Sequence, residues 1–354
     1  MAHTQPGEFS TVSSDVRIAL TEYRTEMLTA LEGMELPTAA KLGEQMMSSA
    51  LEDKWPVSSG DLVYAEIVAD HPNLIEVGEH FFNLITKNYG TGVIEKASRL
   101  RTNEWAAFGW GRTPMKNAEA LTYLFEEVIA AVLEGGSSTN SWANKNGATK
   151  KVFDVNKPAD PVNPGNGNLI TNLHTSTPLS VANIAAMRTS FRTQLNTVGR
   201  PRGYKLTHIV AGPDLEDQLL TAVKDPVVVV THGAGNTVSS TMETNVVATH
   251  YPGIVPIILP TLTDAGVWYP IAADGGMMPW ITLMKLFALG GRVAGMPSPG
   301  IQMADGLEWI MLDETSDHYK LGSKLGPAGS VAQWSKGRVG AAITAEWRIK
   351  RCEP

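Results

Sequence analysis

Two short segments of the chain carry residue types that could serve acyl transfer. Thr231-His232-Gly233-Ala234-Gly235 has the composition of the glycine-rich oxyanion loop found in some esterases. Such chemistry also needs a serine on a strained G-x-S-x-G turn, and the sequence contains no such turn. The nearest approach, Gly295 to Gly300 around Ser298, has the wrong spacing. We therefore predict no catalytic residue, and an α/β hydrolase using His232 and Ser298 is retained only as an unfavoured alternative.

The histidines do not form a pattern that predicts a metal site. His80 follows Glu79, but a metal site needs three or four convergent ligands, so a solvated polar pair is the favoured interpretation. His208 lies inside an apolar segment and is interpreted as a core histidine with a satisfied ring. His174 falls in a predicted loop and has no predicted role. We predict no metal ligand.

Glycine spacing gives no cofactor site either. The chain lacks the GxxxxGK[ST] pattern, and both Gly165-Asn166-Gly167 and Gly233-Ala234-Gly235 lack the third glycine of a dinucleotide loop. Glu126 and Glu127 are sequence neighbours that do not face each other on a helix, so we interpret them as solvent-facing or as partners in salt bridges between subunits. We predict no cofactor-binding residue.

The C-terminal segment from Asp317 onward is basic, with seven Lys or Arg residues against three acidic ones. It could contact a polyanion, although a charge run is more often a solvated or interface surface. The chain as a whole has a formal net charge of −7, which argues against a dedicated nucleic-acid-binding protein.

The strongest predicted element is a helix over residues 117–134. Its apolar residues recur at i, i+3, i+4 and i+7, at Leu121, Leu124, Phe125, Val128, Ile129 and Val132. Asn117 is the predicted N-cap, Glu119 is placed in the first turn, and Gly135-Gly136 is expected to end the helix in a left-handed conformation. One apolar stripe on so long a helix implies that the helix lies along a sheet or another helix.

The remaining elements predict a mixed α+β fold. A second helix is expected over 178–196, capped by Thr177, and a short one over 215–223. Residues 233–243 are predicted as a polar loop, and the segment 58–101 as an irregular antiparallel pair broken at 88–92. Strands are predicted at 93–100, 205–211, 227–230, 245–247, 254–259, 267–272, 307–312 and 341–349.

Composition bounds the remaining possibilities. The 354 residues are 43% hydrophobic and only 18% charged, with nine tryptophans, which is typical of a protein whose surface is covered by partners. Cys352 is the single cysteine and excludes an intramolecular disulfide. No signal peptide is expected, and the most apolar window, Met277 to Leu289, is too short to span a bilayer.

The order of these parts resembles the HK97-fold major capsid proteins of tailed phages, in particular the Mu-like major head subunits. The resemblance rests on the segment 64–101, the helix closed by VLEGG, the Val152-Phe153-Asp154 segment, PLSVANIAAMRTSF and KLTHIVAGPDLEDQLLTAV. It covers roughly residues 58–354. One departure is that Asn103-Glu104-Trp105 stands where the family has an aspartate pair.

The resemblance implies a division of the chain into an N-terminal arm (1–57), an E-loop (58–104), a P-domain (105–199) with its spine helix 117–134, and an A-domain (200–305). Residues 306–354 would then return to the P-domain. It also implies a structural protein without catalysis, which assembles as hexamers and pentamers in the host cytoplasm into an icosahedral virion shell around double-stranded DNA.

The implied partners are further copies of the chain, together with scaffold, portal and decoration proteins and non-specifically contacted DNA. No membrane contact is implied. An encapsulin-like nanocompartment shell stays open as an alternative, because it would share the same fold.

Overall fold

The structure is a computed structural model, and it describes a defined part of the chain. The described residues are 23, 25–27, 29–30, 42, 44–46, 52–57, 80–85, 87–98, 112–139, 150–159, 167–196, 199–232, 239–272, 282–284, 308–312, 320–321, 323–324, 326–343 and 345–354.

Helices and strands alternate irregularly along the described chain, which confirms the α+β class. The helices are α1 (Thr113–Gly135), α2 (Val181–Thr193), α3 (Glu216–Lys224) and α4 (Val246–His250), with 3-10 turns at Pro213–Leu215 and Glu346–Arg348. The strands are β1 (Glu44–Met46), β2 (Glu52–Val57), β3 (His80–Ile85), β4 (Lys87–Lys96), β5 (Lys157–Pro158), β6 (Leu169–Ile170), β7 (Leu173–His174), β8 (His208–Ala211), β9 (Val227–His232), β10 (Ser239–Thr244), β11 (Val255–Ile258), β12 (Trp268–Ile271), β13 (Thr282–Met284), β14 (Glu308–Leu312), β15 (Ser330–Ala342) and β16 (Arg351–Cys352).

Helix α1 exists as predicted but begins four residues earlier. Pro114 occupies its first turn, where the missing N–H costs nothing, and the start follows Arg112, which makes no side-chain cap. The predictions that Asn117 caps the helix and that Glu119 lies in its first turn are therefore wrong. The predicted stripe is confirmed, since three of its six residues, Leu121, Phe125 and Ile129, are buried and the other three are partly buried against the same apolar cluster.

The C-terminal end of α1 depends on glycine for a different reason from the one predicted. Gly136 has a right-handed backbone, with φ −62° and ψ −23°, so no left-handed residue ends the helix. A Cβ at this position would instead overlap the ring carbons Cδ2 and Cε2 of Phe153. The glycine is needed because the aromatic ring packs directly on the backbone.

The long strand β15 organises one of the two large sheets. It pairs antiparallel with β4 from Ser330 to Val339 and with β14 from Ala332 to Lys336, so it is flanked on both edges there. β13 also pairs with β15, and β1 adds to β13. Helix α1 packs against β15, and Val331 and Val339 of the strand are buried with α1 in one apolar cluster, which we call core 1.

The second large sheet has the strand order β11-β8-β12-β16-β7 and separates two cores. Alternate side chains of a strand point to opposite faces. On β8 and β12, Val210, Tyr269 and Ile271 belong to core 1. Ile209 and Trp268 belong to a second cluster, core 2, which also contains the buried face of α2. One sheet therefore serves as a wall shared by both cores.

Several predicted boundaries are wrong for identifiable reasons. Ser180, and not Thr177, caps α2, because its hydroxyl accepts from the Asn183 backbone N–H at 3.2 Å. Residues 245–247, predicted as a strand, begin helix α4, because the buried Asn245 carboxamide oxygen accepts from the N–H groups of Val247 and Ala248. A local cap therefore overrides the β-branched composition of this segment.

Pairing with neighbouring strands explains the other differences. The predicted loop 233–243 contributes β10, which forms a hairpin with β9. The predicted break at 88–92 lies inside β4, where its glycines pair with β15. The predicted final strand at 341–349 is divided between the end of β15 and a 3-10 turn, and the last strand is β16.

Candidate functional site

The N-terminal end of helix α1 holds two distant parts of the chain. The Asn117 carboxamide nitrogen donates to the hydroxyl of Tyr23, and its carboxamide oxygen accepts from Thr91 Oγ1 of β4 at 3.3 Å. Tyr23 is buried, and burial raises its pKa to about 12. Asn117 thus acts as a clamp between the 23–30 segment and β4.

The C-terminal end of the same helix holds a loop that follows β11. One carboxylate oxygen of Glu134 accepts from the backbone N–H groups of Thr263 and Asp264 and from the Thr263 hydroxyl. A carboxylate that accepts several N–H bonds makes charge-assisted contacts stronger than neutral ones. Helix α1 is therefore tied to the second sheet through its last turn.

Arg351 of β16 closes this joint from the C-terminal end of the chain. Its guanidinium donates to Asp264 at 2.7 Å, to Glu353 at 2.8 Å, to the Tyr269 hydroxyl at 3.0 Å and to the Glu134 carbonyl oxygen at 3.3 Å. The planar fork of arginine suits such a multiple contact. One side chain thereby connects the long helix, the 264 loop, β12 and the chain end.

A buried ion pair lies beside this joint. Lys157 Nζ pairs with Glu346, and both side chains are about 2% exposed or less. Lys157 Nζ also donates to the Val152 carbonyl at 2.6 Å, which accepts from Asn172 Nδ2 at 2.8 Å as well. Burial lowers the pKa of Lys157, and the Glu346 carboxylate opposes that effect. The pair fixes β5 relative to the 3-10 turn at 346–348.

The hydrolase residues are not brought together by the described structure. The backbone of His232 ends strand β9, and Ser298 lies outside the described residues. His80 begins β3, while Glu79 also lies outside the described residues. Among the described residues, no group of three or more His, Cys, Asp or Glu side chains could hold a metal ion.

The other two histidines differ in how well the predictions describe them. His208 is half-buried in β8, its Nδ1 lies 2.9 Å from Thr207 Oγ1, and burial lowers its pKa, as expected for a core histidine. His174 lies in strand β7 and not in a loop. Its Nε2 is buried without a hydrogen-bond partner, and burial together with the nearby Lys350 lowers its pKa to about 4.

The carboxylate and basic-segment interpretations are partly wrong. Glu127 is exposed, but Glu126 is buried on α1. In the basic C-terminal segment, Lys350 and Arg351 are buried inside the fold, whereas Lys320 and Lys324 are exposed. Lys350 and Arg351 thus stabilise the fold and are not part of an exposed basic surface.

Asn117, Lys157 and Arg351 connect distant segments of the chain, and the sequence does not reveal this role. Asn117 has the residue type of a helix cap, and Arg351 belongs to a basic run. The one sequence signal for buried connectors is that Lys157 follows the apolar Val152-Phe153 and Arg351 follows Ile349. A basic residue next to an apolar segment can be buried or exposed, so this signal does not predict a buried ion pair without knowledge of the partner residue.

No described helix is long and apolar enough to cross a lipid bilayer. The long helix α1 is held at both ends by side-chain hydrogen bonds, and buried charged groups connect distant segments of the chain. In the described residues it presents no arrangement of a nucleophile, a base and an oxyanion site.

Comparisons with known proteins agree with a structural role. A family model described as "Phage capsid protein" matches residues 107–348, about two thirds of the chain. No curated protein sequence matches the chain.

Solved structures similar to this one include the following three. That of Microbacterium phage Oxtober96 is 12% identical, with a TM-score of 0.46 and coverage of 90% of this chain and 91% of that one. The procapsid of bacteriophage JBD30 is 7% identical, with a TM-score of 0.48 and coverage of 98% and 75%. The virus-like particle from Pyrococcus furiosus is 10% identical, with a TM-score of 0.47 and coverage of 94% and 98%. Because these TM-scores lie below 0.5, the assignment to a family rests on the family match.

Proposed function

The chain belongs to the phage capsid protein family, and from this premise we propose that it is the major capsid subunit of a tailed phage, with the HK97-like order of parts. The observation that carries the proposal is the family match over 107–348, which runs from just before helix α1 to the last 3-10 turn. The match bears out the capsid resemblance inferred from the sequence. The relation to the Mu-like head subunits stays a prediction.

The rigid packing of helix α1 suits a shell subunit, which must resist mechanical stress and needs no catalytic site. Helix α1 is ~35 Å long at ~1.5 Å per residue and is anchored at both ends by side-chain hydrogen bonds. Its apolar face is covered by the β15 sheet and its C-terminal end is joined to the second sheet by Arg351. We infer that the subunit acts as a rigid tile without catalysis.

The domain division given by the resemblance is part of this proposal. Residues 1–57 would form the arm, 58–104 the E-loop, 105–199 with 306–354 the P-domain, and 200–305 the A-domain. The pairing of β4 with β15 supports joining the end of the E-loop to the P-domain sheet. The shared second sheet supports close packing of the P- and A-domains.

The subunit would assemble with itself as hexamers and pentamers in the host cytoplasm and enclose double-stranded DNA, with scaffold, portal and decoration proteins as further partners. Apolar surface available for such contacts includes Met115 and Tyr123 on α1, which are 56% and 54% exposed. Neighbouring subunits commonly cover side chains of this kind.

Expression of the full chain, followed by size-exclusion chromatography and electron microscopy, tests the proposal. Closed icosahedral particles are the expected result. A product that stays monomeric at high concentration, with and without its scaffold protein, would contradict the proposal. Particles that contain a protein cargo and never DNA in their native host would favour the encapsulin-like alternative.

A further inference from the structure

A short hairpin that follows helix α2 carries three exposed basic side chains. Asn196 N–H donates to the Arg200 carbonyl at 2.8 Å, and the bridge between Leu195 and Pro201 extends this pairing. Gly203 N–H donates to the Arg192 carbonyl at 3.3 Å, so the chain folds back along the end of α2. The side chains of Arg192, Arg200 and Lys205 are exposed. We call residues 192–196 and 199–205 the basic hairpin.

The fold does not neutralise these three bases. Residues 161–213, which include the whole hairpin, contain no aspartate or glutamate. Among the residues that the structure describes, no ion pair involves Arg192, Arg200 or Lys205. An exposed patch of one sign raises the local concentration of ligands of the opposite sign. The basic hairpin is therefore a positive surface on a chain whose net charge is −7.

The acidic first turn of α3 lies away from the basic hairpin. Glu216 and Asp217 are in that turn, and the neighbouring Gln218 donates to the Leu179 carbonyl at 2.6 Å, just before α2 begins. Helix α2 is ~20 Å long at ~1.5 Å per residue, and the basic hairpin follows its other end. The separation exceeds the Debye length of ~8 Å at physiological salt, so these carboxylates do not cancel the field of the hairpin.

The spacing of the bases fits a regular row of phosphates. Arg200 and Lys205 are five residues apart, which corresponds to at most ~18 Å of extended chain. Arg192 is held between them, because its carbonyl accepts from Gly203. Each strand of duplex DNA carries one phosphate per ~3.4 Å of helix axis, so the hairpin spans about five phosphates of a strand. Arginine and lysine side chains contact phosphate oxygens without reading sequence.

We propose that the basic hairpin is a surface through which this subunit contacts the phosphates of the duplex DNA enclosed by the shell. This inference rests on the proposed function, because that function supplies the DNA. The hairpin presents exposed charges and no shaped pocket, so the contact is independent of DNA sequence. The negative charge of the rest of the subunit keeps the contact weak.

Duplex DNA fits this surface better than an acidic surface of a second copy does. Exposed ion pairs between proteins contribute only ~0–1 kcal/mol each, and lysine is depleted from protein interfaces. A base that neutralises a DNA phosphate also releases condensed counterions, which drives binding even where both groups stay exposed. Three exposed and unpaired bases therefore gain more from a polyphosphate than from scattered carboxylates.

The first experiment measures the salt dependence of DNA binding. Fluorescence anisotropy of a short labelled duplex is recorded with the unassembled full chain at a series of NaCl concentrations. The triple variant Arg192→Gln/Arg200→Gln/Lys205→Gln should reduce the slope of log K against log [NaCl] by about 2–3, because each phosphate contact contributes about 0.9 to the slope. All three positions are exposed, so the substitutions should leave the fold intact.

The matched control removes the same amount of charge elsewhere. Lys116→Gln/Lys224→Gln/Lys324→Gln replaces three exposed lysines outside the hairpin and should keep the wild-type slope. Equal slopes for the two triple variants would overturn the proposal, because they would show that only the total charge matters. Absence of measurable DNA binding by the wild-type chain at low salt would also overturn it.

The second experiment locates the DNA inside assembled particles. Thr193→p-benzoylphenylalanine places a photoreactive group on an exposed position of the hairpin without removing a base. DNA-filled particles are irradiated, and cross-linked DNA is quantified after the protein is denatured. Ala182→p-benzoylphenylalanine, an exposed position ~16 Å away at the start of α2, is the control. We expect the yield at position 193 to be several times higher, and equal yields would overturn the proposal.

Two further outcomes separate this inference from its alternatives. If the hairpin triple variant binds DNA as the wild type does but fails to assemble, the surface contacts a second copy of the chain and the proposal is wrong. If the wild-type chain forms no particles at all, the proposed function fails, whereas the anisotropy measurement still reports whether the hairpin binds duplex DNA. The two failures are therefore distinguishable.

Discussion

At the scale of single residues, the charged groups of this protein serve mainly as internal connectors. Lys157, Glu346 and Arg351 are buried, and each joins segments that are far apart in sequence. A buried ion pair is often no more stabilising than an apolar pair of the same shape, but removal of one partner leaves a buried charge behind. These residues therefore contribute little net stability, and their main effect is to fix which segments of the chain pack together.

Lys157→Met tests the buried pair. The substitution removes the cation that faces Glu346 in the interior, so the free energy of unfolding should fall by about 3–5 kcal/mol. Urea denaturation followed by circular dichroism measures it. The double variant Lys157→Met/Glu346→Gln should recover most of the loss, because no charge is then left in the core. A single variant within about 1 kcal/mol of the wild type would show that the pair is solvated.

His174 predicts a dependence of stability on pH. Its pKa is lowered from 6.5 to about 4 by burial and by Lys350, so between these values the unfolded chain binds a proton that the folded chain does not. Stability therefore rises with pH over this window and is lost as the pH falls from about 6.5 towards about 4.

His174→Gln should flatten the unfolding free energy between these two pH values, as measured by urea denaturation at a series of pH values. His250→Gln, which changes an exposed histidine at the end of α4, serves as the control and should leave the slope as it is in the wild type. An unchanged slope for His174→Gln would mean that other groups cause the acid sensitivity.

At the scale of elements, secondary structure is predicted most accurately where apolar residues recur periodically over a long segment. Helix α1 is predictable because its stripe repeats over several turns. Leu121, Phe125 and Ile129 of the stripe are buried, and its other three members are partly buried against core 1. The helix start was misplaced because Asn117 resembles a cap, although its carboxamide is used for contacts with Tyr23 and Thr91. Sequence alone cannot distinguish a polar residue that caps a helix from one that clamps distant segments.

Strands were predicted less well because their pairing is non-local. β15 contains Gly337, Gly340 and several polar residues, so its composition does not favour a strand, and its length comes from pairing with β4 and β14. β16 was missed because two residues carry no periodicity. The candidate site depends on the meeting of such elements, so it could not be predicted.

Gly136→Ala tests the close approach that ends helix α1. The new methyl group would overlap the Phe153 ring, so the variant should lose about 1–3 kcal/mol of stability. Gly135→Ala is the matched control, because the nearest atom to its Cβ is Thr139 Oγ1 at 3.8 Å. That variant should be neutral or up to about 1 kcal/mol more stable, since alanine is favoured over glycine in a helix. Thermal unfolding compares the two, and equal melting temperatures would contradict the packing described.

At the scale of the whole molecule, the two cores are coupled because they share one sheet. Helix α1 packs into core 1 and helix α2 into core 2, and β8 presents alternate side chains to each. Arg351 adds a second connection, since it bonds the end of α1 from a strand of the shared sheet. A subunit of this construction should resist local opening and transmit load between its halves.

Two neighbouring substitutions on β8 test the coupling. Ile209→Ala opens a cavity in core 2, and Val210→Ala opens one in core 1, so each should cost about 1–5 kcal/mol. If the sheet couples the cores, hydrogen exchange measured by mass spectrometry should accelerate in both α1 and α2 for either variant, because the two helices are lost in one cooperative opening. If Ile209→Ala accelerates exchange only in α2 and Val210→Ala only in α1, the cores open independently, and the rigidity inferred for the tile would have to come from its neighbours in the shell.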